Sequence, residues 1–126
     1  MANVYGAKQT GFDPHGAVYL ATEMQNEGLT MVEVKQGIMS LTEPTKSFRE
    51  AVYSGKLWHT GDQLLRWSMS NAVTTQDNNE NIKLDKKRSK DRIDPVDAII
   101  NAYSLAMFDS QVTDLNSIIL ADDWSF

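Results

Sequence analysis

Cysteine is absent from the 126 residues, so neither a disulfide framework nor a thiolate metal site is available. Histidine occurs only as His15 and His59, and neither stands in a nucleophile motif, so Ser-His-Asp and Cys-His hydrolysis have no support. Residues 55–61 lack the closing Lys-Ser/Thr pair of a phosphate-binding P-loop. No apolar run approaches the ~18 residues that a membrane-spanning helix needs. Residues 1–11 lack the basic-then-apolar order of a signal peptide, and a cytoplasmic location with no membrane partner is expected.

An apolar content of 41% and three Trp point to a folded chain, long enough for one domain or a piece of one. The net charge of −5 argues against a simple nucleic-acid coat, but the charge is segregated along the chain. Lys83, Lys86, Lys87, Arg88, Lys90 and Arg92 crowd one short segment. After Met107 there is no base, and Asp109, Asp114, Asp122 and Asp123 follow.

Periodicity supplies the elements. A strand is expected over 8–12, then a helix capped by Asp13, with Pro14 in its first position and Ala17, Leu20, Ala21 and Met24 on one face. Gly28 suits the stop, and 29–35 alternates as a strand with one wet face. Together these make a βαβ unit with parallel strands. A second helix is expected from Thr42, with Pro44 in its first turn and Phe48, Ala51 and Val52 buried. Residues 57–59 suit a short strand, and Asp62 suits the cap of a helix bearing Leu64, Leu65 and Trp67. Trp58 and Trp67 are expected in the core. The turn-forming Asp77-Asn78-Asn79-Glu80 separates two strands of a hairpin. A last helix opens at Asp94-Pro95, with Val96, Ile99, Ile100, Tyr103, Ala106 and Met107 on its apolar side. Asp94, Asp97 and Asn101 share a polar stripe on it. The apolar stretch 115–120 has no assigned place.

Carboxylates are the remaining candidates for chemistry. Asp13 stands where a parallel strand ends, the usual place for a site in an open α/β sheet. Asp94 opens a later helix. Brought together, the two could hold Mg²⁺ or Mn²⁺, hard ions that take oxygen ligands. Asp before Pro is also a common helix cap, and a basic run is often only a solvated loop, so both plain readings stand beside the functional ones.

Seven ordered blocks carry a family resemblance. They are Gly11-Phe12-Asp13-Pro14, Val32-Glu33-Val34-Lys35-Gln36-Gly37, Leu41 to Pro44, Ser54-Gly55-Lys56-Leu57-Trp58-His59, Leu65-Arg66-Trp67-Ser68-Met69-Ser70-Asn71, Asn81-Ile82-Lys83-Leu84-Asp85-Lys86, and Arg92-Ile93-Asp94. In order and spacing they resemble the nuclease domain of tailed-phage large terminase subunits. The resemblance implies a partial RNase H-like α/β fold over 1–108, with 109–126 an acidic tail of its own. It implies a two-metal endonuclease that cuts concatemeric double-stranded DNA during packaging in the host cell. Asp13 and Asp94 match two of the family's three catalytic acids, and Asp97 is a candidate third metal ligand here. Lys83, Lys86, Lys87, Arg88 and Lys90 become candidate contacts to the DNA backbone. Pro95 departs from the family, which often has Gly there.

The resemblance further implies that the chain begins at the fourth strand of that fold. The first acidic residue, three strands and the packaging ATPase would then lie outside it. Self-association, or pairing with a separate N-terminal ATPase/nuclease fragment, is expected, with the small terminase subunit and the portal as further partners. The rival expectation, of another class, is a prophage remnant or protein-interaction module that keeps the fold without catalysis.

Overall fold

The computed structural model describes the backbone of residues 6–120 and the side chains of residues 6–109. Strand β1 (Thr10–Phe12), helix α1 (Val18–Asn26) and strand β2 (Met31–Glu33) form the expected βαβ unit. The strands pair in parallel, with Thr10 opposite Met31 and Phe12 opposite Glu33. Among the described residues β1 has no strand on its other edge.

The start of α1 differs from expectation. The helix begins at Val18 after Ala17, which makes no side-chain cap. Asp13 instead accepts the backbone N–H of His15 at 2.9 Å and closes a turn. Such local bonds compete with helix formation, and Gly16, at φ +75°, holds a left-handed conformation that a helix cannot contain. Leu20 is exposed, contrary to the expected stripe, and Ala21 is the buried position. The end of α1 matches expectation. Gly28 takes φ +91°, its N–H bonds Gln25, and the Leu29 N–H bonds Met24, the paired bonds of a Schellman stop.

Helix α2 (Ile38–Tyr53) begins a full turn before Thr42, so Pro44 lies inside it. Proline removes one ladder bond and crowds the preceding turn. Burial of Leu41, Thr42, Pro44 and Thr45 overrides that cost. The Thr42 hydroxyl donates to the Ile38 carbonyl at 2.6 Å and accepts the Ile82 N–H at 3.1 Å, fastening α2 to the hairpin. Phe48 and Ala51 are buried as expected, whereas Val52 faces solvent.

Residues 57–59 form no strand, and Trp58 is 86% exposed rather than in the core. Helix α3 (Gln63–Asn71) is capped by Asp62, whose carboxylate accepts the Leu65 N–H at 2.9 Å. Its buried positions are Ser68 and Asn71, while Leu64 and Trp67 face outward. The inner face of α3 thus joins Leu65 and Met69, packed against the core, to the buried polar anchors Ser68 and Asn71. Strands β3 (Thr74–Gln76) and β4 (Ile82–Leu84) form the expected antiparallel hairpin, with Thr75 opposite Lys83.

Helix α4 (Asp94–Leu120) packs against α2, α3 and β1, and it takes in the stretch 115–120. The side chain of Asp114 lies outside the described residues, as do Asp122 and Asp123 altogether. The core comprises Val34, Leu41, Phe48, Val96 and Ile100, with Leu65, Ile99 and Tyr103 packed around it. Tyr103 meets Phe48 edge-on at 5.8 Å. Gly11 lies close against α4: a Cβ there would come within 3.0 Å of Val34 Cγ2 and 3.1 Å of Leu105 Cδ1. Glycine in this strand serves close approach of strand to helix.

Candidate functional site

Three packing arrangements place the acidic residues. Asp13 follows β1, half-buried, in its turn with His15. Asp94 opens α4 and is exposed. The Ile93 carbonyl accepts the Asp97 N–H at 2.9 Å, so Ile93 is the capping residue and Asp94 lies one step inside the first turn. The Val96 N–H, a first-turn donor that needs an outside partner, is met by the Ser68 hydroxyl at 3.4 Å. Asn71 adds a bond of 3.4 Å to the Arg92 carbonyl. Helix α3 thus pins the start of α4, and the Asp94 carboxylate is spared the capping role that its sequence position suggested.

Asp97, one turn further along, bonds the Lys86 ammonium at 2.6 Å. This hydrogen bond raises the Lys86 pKa above its ordinary value; burial opposes the rise, and the charges of Asp97, Asp13 and Asp94 add to it. Three acids from two distant parts of the chain therefore act on one positive charge. Asp13, Lys86 and Asp97 line a shared cavity of about 360 Å³, together with Gln36, Thr45 and Asp85.

The basic segment is an ordered turn. Asp85 accepts the N–H groups of Lys87 and Arg88, each at 3.0 Å, through its carboxylate, and its carbonyl accepts the Ser89 N–H at 3.0 Å. Lys83, on β4, is half-buried and lines the cavity with Lys86 and Lys87. Arg88 and Lys90 are exposed and do not line it. Among the described residues Lys86 has the ion pair to Asp97, so its charge is already engaged.

Sequence reasoning missed two contributors to the cavity wall. Gln36 donates to the Val34 carbonyl at 2.8 Å and to Asn101 Oδ1 at 3.0 Å, tying the end of β2 to α4. Its place in a matching block was visible; its partner across the fold was not. Asp85 was visible as an acid three residues before Arg88, the spacing of a cap on a single turn.

Oxygen donors facing a cation suit a hard divalent ion such as Mg²⁺, which is commonly held by one or two carboxylates and completed by water and phosphate oxygens. Among the described residues no group of three or more His, Cys, Asp or Glu is gathered closely enough to hold a metal ion. Asp13 and Asp97 on the cavity wall would offer such an ion one or two carboxylates and not a closed protein cage, whereas Asp94 does not line the cavity. A larger hollow of about 640 Å³, lined by Phe48, Val52, Leu57, Trp58, Leu65 and Met69 among others, contains no carboxylate. No helix among the described residues is long and apolar enough to cross a membrane.

Comparison with known proteins supplies the family and the fold. Residues 1–109 match the family model described as terminase large subunit, endonuclease domain. Protein YmfN of Escherichia coli (strain K12) is 30% identical over 101 residues, 79% of this chain and 22% of that protein. The crystal structure of the HK97 bacteriophage large terminase superposes with a TM-score of 0.72 at 24% identity, covering 82% of this chain and 23% of that one. The chain thus spans about a fifth of the length of YmfN. Its α/β arrangement is that of the terminase nuclease domain, as the RNase H-like expectation required. Over nearly its whole length, the chain belongs to the terminase large subunit endonuclease domain family.

Proposed function

We propose that the chain supplies one acidic wall and the basic loop of a nuclease centre that cuts concatemeric double-stranded DNA during genome packaging. The observation that carries this reading is that Asp13 and Asp97, remote in sequence, line one cavity together with Lys83, Lys86 and Lys87. Asp13 and Asp94 would hold Mg²⁺ or Mn²⁺, with Asp97 as a further donor. When bound, the metals would supply an activated water and stabilise the leaving oxygen of the phosphodiester.

The protein's own work is positional. Ser68 and Asn71 fix the start of α4, and with it the backbone that carries Asp94 and Asp97. Gln36 braces the opposite wall against Asn101. Asp85 shapes the turn from which Lys87 and Arg88 extend, and Lys90 follows in the same exposed segment. Those three cations offer contacts to a phosphate backbone. Lys83 lines the cavity beside Asp13 and Asp97, where it would meet the phosphate nearest the cut, and Lys86 would add a contact once released from Asp97. In the larger terminase the expected partners are the ATPase portion, the small subunit and the portal.

Salt dependence tests the basic loop directly. Each phosphate contact releases counterions, so the log–log slope of DNA affinity against salt should fall by about 0.9 per contact removed. Replacing Lys87, Arg88 and Lys90 together by Ala should flatten the slope accordingly. An unchanged slope would return the loop to the plain solvated reading.

One observation favours a second reading. The described residues gather no group of three ligands, which is the pattern of a non-catalytic interaction module keeping the fold. Binding of Mn²⁺ that depends on Asp13 and Asp94 separates the two.

A further inference from the structure

Lys86 sits at a conflict within the proposed site. Its ammonium bonds Asp97 Oδ2 at 2.6 Å, a tight ion pair, and it shares the lining of one cavity with Asp13 and Asp97. An ammonium at this distance takes up one acceptor direction of Oδ2 and sets a positive charge directly beside the carboxylate. The ammonium would also repel a divalent ion brought beside it, since like charges a few Å apart in a partly dry cavity interact strongly.

We propose that Lys86 is a resident counter-cation: its ammonium occupies the place a divalent ion would take beside Asp97, so the Lys86–Asp97 ion pair and cation entry exclude each other. This inference rests on the reading of the cavity as a cation site, and it adds a residue that controls loading of that site.

The geometry also says which partner moves. The Asp97 side chain is 17% exposed and that of Lys86 57%. Asp97 is carried on α4 between the core residues Val96 and Ile100, so its backbone is fixed by packing. Lys86 stands at the edge of an exposed turn, on a flexible four-carbon stem with a strongly hydrated head. When a divalent ion enters, Asp97 stays and the ammonium swings outward. There it joins Lys87 and Arg88 on the solvent side, so that loading the cation adds one positive charge to the loop proposed to meet DNA.

A plain structural strut would behave differently. It would tie the loop to α4 and contribute stability, and its loss would leave cation affinity where it was.

The test uses the full chain and Mn²⁺ alone, followed by titration calorimetry, for the wild type, Lys86→Met, Lys86→Arg and Asp97→Asn. Lys86→Met should bind Mn²⁺ about tenfold or more tighter than the wild type, as expected for removing a like charge next to the ion. Lys86→Arg keeps the charge and should bind as the wild type does, and Asp97→Asn should bind more weakly. Equal affinities for the wild type and Lys86→Met would overturn the role of Lys86 while leaving the cation site in place. Binding by Lys86→Arg as tight as that of Lys86→Met would overturn it equally. Binding by neither protein would sink the cation site itself, and the inference with it. Should Lys86→Met fail to fold, the side-chain ammonium signal of Lys86 can be followed by NMR in the wild type as Mg²⁺ is added. The signal should move to that of a free, rapidly exchanging lysine; an unmoved signal once Mg²⁺ has saturated the protein contradicts the proposal.

Discussion

The hydroxyl of Ser68, fully buried in α3, accepts the backbone N–H of Val96 in the first turn of α4 at 3.4 Å. A donor at the start of a helix finds its partner in a different helix, and that frees Asp94 for other work. Ser68→Ala would leave the N–H buried and unsatisfied, at a cost of about 1–3 kcal/mol. Thermal or denaturant unfolding should register the loss. Stability equal to the wild type would mean that Ser68 does not anchor α4.

Close approach of β1 to α4 leads to the next expectation. A methyl at Gly11 would come within 3.0 Å of Val34 and 3.1 Å of Leu105, with the Asn101 carbonyl at 3.6 Å. Overpacking of this kind costs about 1–3 kcal/mol. Gly11→Ala should lower the denaturation midpoint and shift the amide signals of Val34 and Leu105. A midpoint at or above that of the wild type would argue against the close contact.

The hairpin tip responds to acid. Hydrogen bonding from the Asn81 side chain lowers the Asp77 pKa below 3.8; burial opposes this, and the N–H groups of Asn81 and Asn79 add to the lowering. A depressed carboxylate stabilises the fold above its unfolded pKa and loses that contribution as pH falls through its folded pKa. The tip should therefore loosen only below about pH 3.8, in amide exchange of Asn79 and Asn81. Asp77→Asn should remove this pH dependence. Loosening that begins near neutral pH would point to another group.

Much of the fold was legible because local rules acted alone. Gly28 ends α1, Asp62 caps α3, and Asp77 to Glu80 turns the hairpin, each through bonds to near neighbours. Where distant packing decided the outcome, the local pattern misled. Pro44 looks like a helix start, yet contacts from β4 and α4 carry α2 through it. Asp13-Pro14 looks like a cap, yet Gly16 at φ +75° delays the helix to Val18. Trp58 is apolar but lies outside the core, because Leu57 beside it covers the cluster instead.

The candidate site divides in the same way. Asp13, Asp94 and the basic run could be picked out by type and position. The Lys86–Asp97 bond and the Gln36–Asn101 bond could not, since each joins elements whose proximity only the folded chain establishes.

The most direct test of the proposed metal centre is Mn²⁺ binding by the chain, followed by titration calorimetry, alongside Asp13→Asn and Asp94→Asn, with unfolding curves confirming that the variants fold. Affinity for Mn²⁺ should fall by about tenfold or more in either variant, the scale of losing one charged partner beside the ion. An affinity unchanged in both variants would contradict a metal centre built on these two carboxylates.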